Sequence, residues 1–173
     1  MSDLLDRLLT LHADYPELRL DLLVRLLLAS VLGGGIGWER EHAHKPAGLR
    51  TNILICVAAT LLTDLSVKVA AQAASPSDPG RIAAQIVTGV GFLGAGTIFQ
   101  ARGSIMGLTT AATMWVVAAI GMAVGFGATI EAVGTTFVVL VALIPLRTLE
   151  ERAKARREKN GLHVTAVGED LDP

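Results

Sequence analysis

The chain has 173 residues, of which 51% are hydrophobic and 18% are charged, and its formal net charge is −1. Soluble domains usually carry about 25% charged residues, so this composition excludes an ordinary soluble domain, and the single cysteine excludes an intramolecular disulfide. The apolar residues form long blocks, and residues 82–101 and 103–130 contain no formal charge. Because an apolar helix of roughly 20 residues crosses a bilayer, we predict an all-α polytopic membrane protein.

About five transmembrane helices are predicted within residues 20–147, with close packing at glycines. The second charge-free block is too long for one span and too short for two, so we place a break at Gly125-Phe126-Gly127. Residues 1–19 form an N-terminal segment whose leucine spacing is typical of a short interfacial helix, and residues 148–173 form a basic tail. The predicted spans are Leu20–Trp38, Thr51–Ala70, Ile82–Gln100, Ile105–Val124 and Ala128–Leu146.

The distribution of Lys and Arg predicts the orientation. With five spans, the loop after the first span, the loop at Arg102 and the C-terminal tail share one side, which holds ten of the fifteen Lys and Arg residues. Cytoplasmic segments carry the excess of positive charge. We therefore expect a membrane protein with its N-terminus outside and its C-terminus in the cytoplasm, where the tail is either solvated or bound to lipid headgroups.

The stretch TGVGFLGAG contains a literal G-x-G-x-x-G at Gly89, Gly91 and Gly94. A dinucleotide-binding fingerprint needs a strand before it and a helix opening after it, with an acidic residue about 20 positions further on. Here the glycines lie inside an apolar segment, and no such acidic residue follows. We predict no nucleotide at Gly89–Gly94, no nucleic-acid partner and no cofactor.

Close helix packing is the first alternative role for these glycines. In lipid, helices associate where small side chains let their backbones approach. Such residues line one face of the first span (Ala29, Gly33, Gly37), recur on the third (Gly89, Gly91, Gly94, Gly96) and line one face of the fourth (Gly107, Ala111, Ala118, Gly121, Gly125). The second alternative is an unwound segment that lines a site buried in protein or facing a water-filled cavity.

Polar side chains at membrane depth form the main candidate site. Arg25, Asp64 and Gln85 are predicted to lie in one layer, about 6 to 7 Å from the outer ends of three helices. A charge there is costly unless it is paired, so we predict an Arg25–Asp64 pair beside Gln85, with Arg81 one turn away. The cluster is either a structural pair or an ion or proton site that opens outward.

The loop after the first span concentrates charge on the predicted cytoplasmic side. Its candidate motif consists of Glu39, Arg40, Lys45, Arg50 and Thr51. A metal site formed by Glu39, Glu41, His42 and His44 is conceivable, although hard cations prefer more carboxylate oxygens than this loop offers. Thr109 and Thr110 either bond back to their own helix or face the small-residue crevice. No nucleophile has a basic partner, so we predict no enzymatic activity.

Four blocks in order carry a family resemblance: RLLLASVLGGGIGWERE, KPAGLRTN, DPGRIAAQIVTGVGFLGAGTIF and GLTTAATMWVVAAIGMAVGFG. Together they resemble the MgtC/SapB family of bacterial inner-membrane proteins, over residues 25 to 146. The chain departs from the virulence-type pattern after Arg147, where those members continue into a soluble, ACT-like domain, and is more similar to the shorter SapB-like form. The matching positions are Arg25, Gly37, Glu39, Arg40, Pro46, Gly48, Leu49, Arg50, Thr51, Asp78, Arg81, Gln85, Gly89, Gly91, Gly94, Gly96, Gly107, Leu108, Thr109, Thr110 and Trp115.

The resemblance implies a five-helix membrane domain linked to growth in low magnesium. In virulence-associated members it also implies survival within macrophages and restraint of the ATP synthase. We expect a protein of magnesium or membrane-energy homeostasis that binds membrane partners and forms a homodimer. The alternative is a transporter or channel for Mg²⁺ or H⁺ that uses the layer of Arg25, Asp64 and Gln85.

Overall fold

A computed structural model of the chain describes residues 19–72, 78, 80–101 and 104–144. Within these residues the chain forms five α-helices and one β-hairpin, and the predicted all-α fold class is confirmed. The predicted interfacial helix in residues 1–18 and the tail of residues 148–173 lie outside the described part. The elements are α1 (Leu20–His42), α2 (Leu49–Gln72), α3 (Gly80–Ala95), β1 (Phe99–Ala101), β2 (Ser104–Met106), α4 (Leu108–Phe126) and α5 (Thr129–Ile144).

Three of these helices are long and apolar enough to cross a membrane, judged by length and composition: α1, α2 and α4, with 23, 24 and 19 residues. Helix α5 is apolar but shorter in its described range, and α3 has 16 residues. We predict that α3 and α5 also span the bilayer.

The connection between α3 and α4 differs from the prediction. The third predicted span was expected to run to Gln100 and the fourth to begin at Ile105, but α3 ends at Ala95 and an antiparallel hairpin follows, with Phe99 opposite Met106. Gly107 lies immediately before α4, as its N-cap, with φ +91°. A Cβ there would lie 1.9 Å from the carbonyl oxygen of Thr97. Only glycine fits that position, because other residues disfavour positive φ and have a Cβ.

The predicted break between the fourth and fifth helices is confirmed. Gly127 lies after the end of α4 with φ +84°, and its N–H donates to the carbonyl of Val124 at 3.0 Å. The N–H of Ala128 donates to the carbonyl of Ala123 at 2.9 Å. This pair of bonds is the Schellman motif that commonly ends a helix at glycine, and α5 begins two residues later.

Of the described residues, those from 19 to 136 form one compact unit, and residues 137–144, the C-terminal half of α5, belong to a second. In the first unit, polar side chains such as Asn52, Thr60 and Thr63 are fully buried among the helices, whereas Phe92 and Ile130 are 80% and 86% exposed. In the second, Phe137 and Val138 are also exposed. Apolar side chains that face outward and polar ones that face inward suit a protein whose solvent is lipid.

Candidate functional site

Helix α2 lies at the centre of the close helix packing. A Cβ at Gly33 or Gly37 of α1 would lie 2.7 Å from atoms of Cys56 or Leu49 on α2. On α4, the corresponding distances are 2.3 Å from Gly121 to the carbonyl oxygen of Cys56 and 2.6 Å from Gly125 to the Cβ of Thr63. The predicted small faces of α1 and α4 therefore do serve close packing, but they meet on α2.

The glycines of α3 behave differently. Gly89, Gly91 and Gly94 all lie inside a continuous helix, so the unwound alternative is wrong for them, and Gly96 lies in the turn after it. Gly94 packs against Ala111 of α4, with 3.4 Å between its ideal Cβ and that of Ala111. Within the part of the chain that the structure describes, a Cβ at Gly89 or Gly91 would have no neighbouring atom within 4 Å. The expectation that the α3 glycines join the internal crevice holds for Gly94 and is wrong for Gly89 and Gly91.

Asp64 forms an ion pair, but with Arg19 instead of Arg25. Both guanidinium Nη atoms of Arg19 donate to the Asp64 carboxylate, and the Nη2–Oδ1 distance is 2.8 Å. Asp64 is 5% exposed, and the Arg19 side chain is 26% exposed. The hydrogen bond to Asp64 raises the pKa of Arg19 above its ordinary value. The predicted Arg25–Asp64 pair is therefore corrected, because an arginine just before α1 occupies both carboxylate oxygens.

Arg25 instead binds the end of α4. Its Nη1 donates to the carbonyl oxygen of Gly125 at 2.8 Å. The last carbonyls of a helix have no partner within the helix and carry partial negative charge, so a guanidinium there satisfies an acceptor and suits the dipole. The guanidinium also lies near Gly127, where an added Cβ would be 3.5 Å from Nη2 of Arg25.

Gln85 does not join the Asp64 pair. It lines a groove of about 560 Å³ between α2 and α3, on the side of α2 away from Asp64. The predicted single layer of Arg25, Asp64 and Gln85 is therefore split between two sides of α2. We call this groove, as a whole, the α2–α3 groove. Its lining residues are Leu54, Ile55, Ala58, Ala59, Leu62, Ile82, Gln85, Ile86, Gly89, Val90 and Leu93.

A smaller cavity of about 300 Å³ adjoins this groove and shares Ile82 and Gln85 with it. We call it the polar mouth. The structure thus brings Arg81 and Gln85 together, as their spacing predicts, and adds Asp78 at the start of α3. Asp78 caps that helix as its sequence position suggests, because its Oδ1 accepts the N–H of Gly80 at 2.8 Å. The polar mouth is lined by Ser66, Val69, Asp78, Arg81, Ile82 and Gln85.

Helix α1 continues to His42, so Glu39, Arg40, Glu41 and His42, which were expected in the loop after the first span, lie in its last turn. Arg40 is 3% exposed and pairs with Glu39 at 2.5 Å. The carboxylate of Glu41 accepts the N–H of Leu49 at 2.9 Å, which caps α2, and Nδ1 of His42 lies 2.9 Å from the carbonyl oxygen of Trp38. Lys45 and Arg50 are exposed and Thr51 is partly exposed on the first turn of α2.

No set of three or more His, Cys, Asp or Glu side chains is placed to hold a metal within the described ranges. The conceivable site of Glu39, Glu41, His42 and His44 is therefore not assembled. In α4, Thr110 is buried and Thr109 is exposed. The carbonyl of Thr109 accepts the hydroxyl of Thr113 at 2.7 Å. The two predicted threonines thus lie on different faces of α4.

Sequence reasoning missed Asn52, which links the loop to the helix pair. Its Nδ2 donates to the carbonyls of Ala47 and Gly48 at 2.6 and 2.9 Å, and the residue is fully buried. Its position at the end of the block KPAGLRTN is the available signal. The structural roles of Arg19 and Glu41 were not predicted either. Arg19 bonds to Asp64, which lies far away in the sequence, and Glu41 bonds to Leu49 across the loop between α1 and α2.

The outward apolar surface, the inward polar residues and the close glycine contacts together define a helical-bundle membrane protein. Within this class of proteins, the chain matches one family. The model of the MgtC family matches residues 26–152, and the chain belongs to the MgtC family.

Relatives from several bacteria are similar to this chain. Protein MgtC of Salmonella typhimurium (strain LT2) is 42% identical over 147 residues, which are 85% of this chain and 59% of that protein. An uncharacterized protein of Haemophilus influenzae is 43% identical over 145 residues, covering 78% of this chain and 61% of the relative. The "Putative magnesium transporter YhiD" of Escherichia coli (strain K12) is 49% identical over 111 residues, which are 62% of this chain and 52% of that protein.

The chain thus spans little more than half the length of the curated relatives it matches. No solved structure matches it significantly.

Proposed function

We propose that this protein acts in magnesium or membrane-energy homeostasis of the bacterial inner membrane by binding other membrane helices through helix α3. Membership of the MgtC family and the name of the YhiD relative support the link to magnesium. The proposal includes no enzymatic step. It also places the N-terminus outside and the C-terminus in the cytoplasm, which the excess of Lys and Arg on one predicted side supports.

The observation that carries the proposal is the outward face of α3. Ala84, Thr88, Gly91 and Ala95 recur every three or four residues, so they lie on one face of the helix, and all four are exposed. A Cβ at Gly91 would meet no atom of the described residues within 4 Å. We call these four residues the small face of α3.

This face contrasts with the core glycines of α1 and α4, which contact α2 closely enough to explain why they are glycine. Gly91 destabilises its helix by about 1 kcal/mol relative to alanine, and no contact within the described chain offsets that. Exposed Val87 and Phe92 flank the small face on its two sides. A shallow track of small residues between larger ones is the shape into which a second transmembrane helix packs.

The test uses a bacterial strain that lacks its own copy of the protein, grown with limiting magnesium. We expect the wild-type protein to restore growth and Gly91→Leu to fail, because the leucine fills the track. Gly35→Leu is the matched control, since Gly35 is also exposed with no atom within 4 Å of its ideal Cβ but lies on α1. Equal membrane levels of the variants are required. Full growth with Gly91→Leu would contradict partner binding by this face.

A second candidate function is ion transport, which the buried acidic residue favours. Asp64 is a nearly buried carboxylate beside two arginines at one end of the bundle, and intramembrane acidic residues often mark ion or proton routes. Transport would require Arg19 to leave the carboxylate, because it occupies both oxygens. Reconstituted vesicles that show Mg²⁺ or H⁺ flux for the wild type and none for Asp64→Asn would favour this function over the first.

A further inference from the structure

The α2–α3 groove and the polar mouth form one feature with two chemically different ends. Among the described residues that line the groove, Gln85 is the only one with a polar side chain. The polar mouth adds Ser66, Asp78 and Arg81 at the end where α3 begins. An elongated apolar groove that ends at opposite charges fits an amphipathic molecule whose body is a hydrocarbon chain.

The length of the groove matches one leaflet of a bilayer. Along α3 its lining runs from Ile82 to Leu93. At about 1.5 Å per residue this is about 16 Å, and half of the hydrocarbon core is about 15 Å. The cavity volume of about 560 Å³ also lies within the roughly 300 to 1,000 Å³ that small-molecule sites occupy.

No helix contact explains why residue 89 is a glycine, but its position in the groove does. It lines the groove, and a Cβ added to it would meet no atom of the described chain within 4 Å. It therefore contributes no helix contact, and a large side chain there would project into the space between α2 and α3. The small face of α3, with Gly91, lies on the other side of the helix.

The charges at the polar mouth indicate the headgroup. Arg81 presents a guanidinium suited to a phosphate. Asp78 lies three residues before Arg81 and caps the helix with its Oδ1. Its second carboxylate oxygen, Oδ2, remains to attract a cation. Opposite charges at one mouth complement a headgroup that carries both a phosphate and an ammonium group.

We propose that the α2–α3 groove binds one acyl chain of a phosphatidylethanolamine molecule, whose phosphate contacts Arg81 and whose ammonium group contacts Asp78. The bound lipid would complete the surface between the two helices. This site is independent of the proposed function, because partner binding uses the opposite face of α3.

The experiment is native mass spectrometry of protein taken from vesicles that contain equal amounts of phosphatidylethanolamine and phosphatidylglycerol. We expect one retained phosphatidylethanolamine per wild-type chain. Gly89→Phe should lose it, and Gly35→Phe, the control at an exposed glycine of α1 outside the groove, should retain it. Arg81→Gln should weaken retention of both lipids by about tenfold, as expected when a hydrogen bond to a charged group is lost.

Asp78→Asn distinguishes the two headgroups. We expect it to reduce retention of phosphatidylethanolamine to the level of phosphatidylglycerol, because only the first carries an ammonium group. If Gly89→Phe does not fold, Ala58→Phe blocks the groove from the α2 side and replaces it. Unchanged retention in the folded groove variants, or a wild-type preference for phosphatidylglycerol, would overturn the proposal. Growth in limiting magnesium tests the proposed function separately.

Discussion

A Cβ placed on Gly33 would lie 2.7 Å from the Cβ of Cys56, and the carbonyl oxygen of Asn52 would lie 2.8 Å from the same point. Helices α1 and α2 therefore touch through their backbones at this position. Because lipid offers no hydrophobic gain for burying larger apolar side chains, such contacts supply much of the attraction between helices in a membrane.

The first prediction compares two glycines of α1. Gly33→Ala should lower the free energy of unfolding by about 1 to 3 kcal/mol, because the added methyl group overpacks the contact with α2. Gly35→Ala should be neutral or stabilise by up to about 1 kcal/mol, since it meets no atom within 4 Å and alanine favours the helix. Unfolding in detergent micelles measures both. Equal effects of the two variants would contradict the packing described for α1 and α2.

The second prediction concerns the ion pair of Arg19 and Asp64. A double-mutant cycle with Arg19→Gln and Asp64→Asn should give a coupling energy of about 0.5 to 3 kcal/mol, the range found for residues in contact. The cycle of Arg25→Gln with Asp64→Asn is the control and should give a smaller value, because Arg25 bonds to Gly125. A larger coupling for Arg25 than for Arg19 would restore the pairing that the sequence suggested.

Particular residues show what the sequence could and could not predict. The break at Gly125-Phe126-Gly127 was predictable, because glycine after an apolar run commonly ends a helix, and α4 ends at Phe126. The β-hairpin was not, because the apolar runs on either side of Arg102 are short, and short apolar runs do not distinguish strand from helix. The loop at Arg102 was predicted, but the two short strands that flank it were not.

The pairing of Asp64 was not predictable for a different reason. Depth along a helix can be counted from its ends, and this places Arg25 and Asp64 at similar depth. The rotation of each helix about its axis depends on contacts such as Gly33 with Cys56, which one sequence does not specify. For the same reason, the sequence led us to predict Gln85 beside Asp64, although the two residues lie on different sides of α2.

The third prediction tests the contact between Arg25 and the end of α4. Arg25→Leu should remove a charged donor from the carbonyl of Gly125 and lower stability by about 1.5 to 3 kcal/mol. Arg25→Lys keeps the charge and should lose less. Hydrogen exchange should accelerate first in the last turn of α4, where the uncapped carbonyl lies. Faster exchange that is spread evenly over all helices would indicate that Arg25 has no local capping role.

The fourth prediction concerns the small face of α3 and a second copy of the chain as its partner. If the face pairs with itself, mass measurement in a mild detergent should find a dimer of the wild-type protein. Gly91→Leu should shift it to a monomer, because a leucine prevents the close approach of two backbones. Gly35→Leu should remain a dimer, since it makes the same change on α1. A wild-type monomer at every concentration would rule out self-association, and a dimer unaffected by Gly91→Leu would place its interface elsewhere.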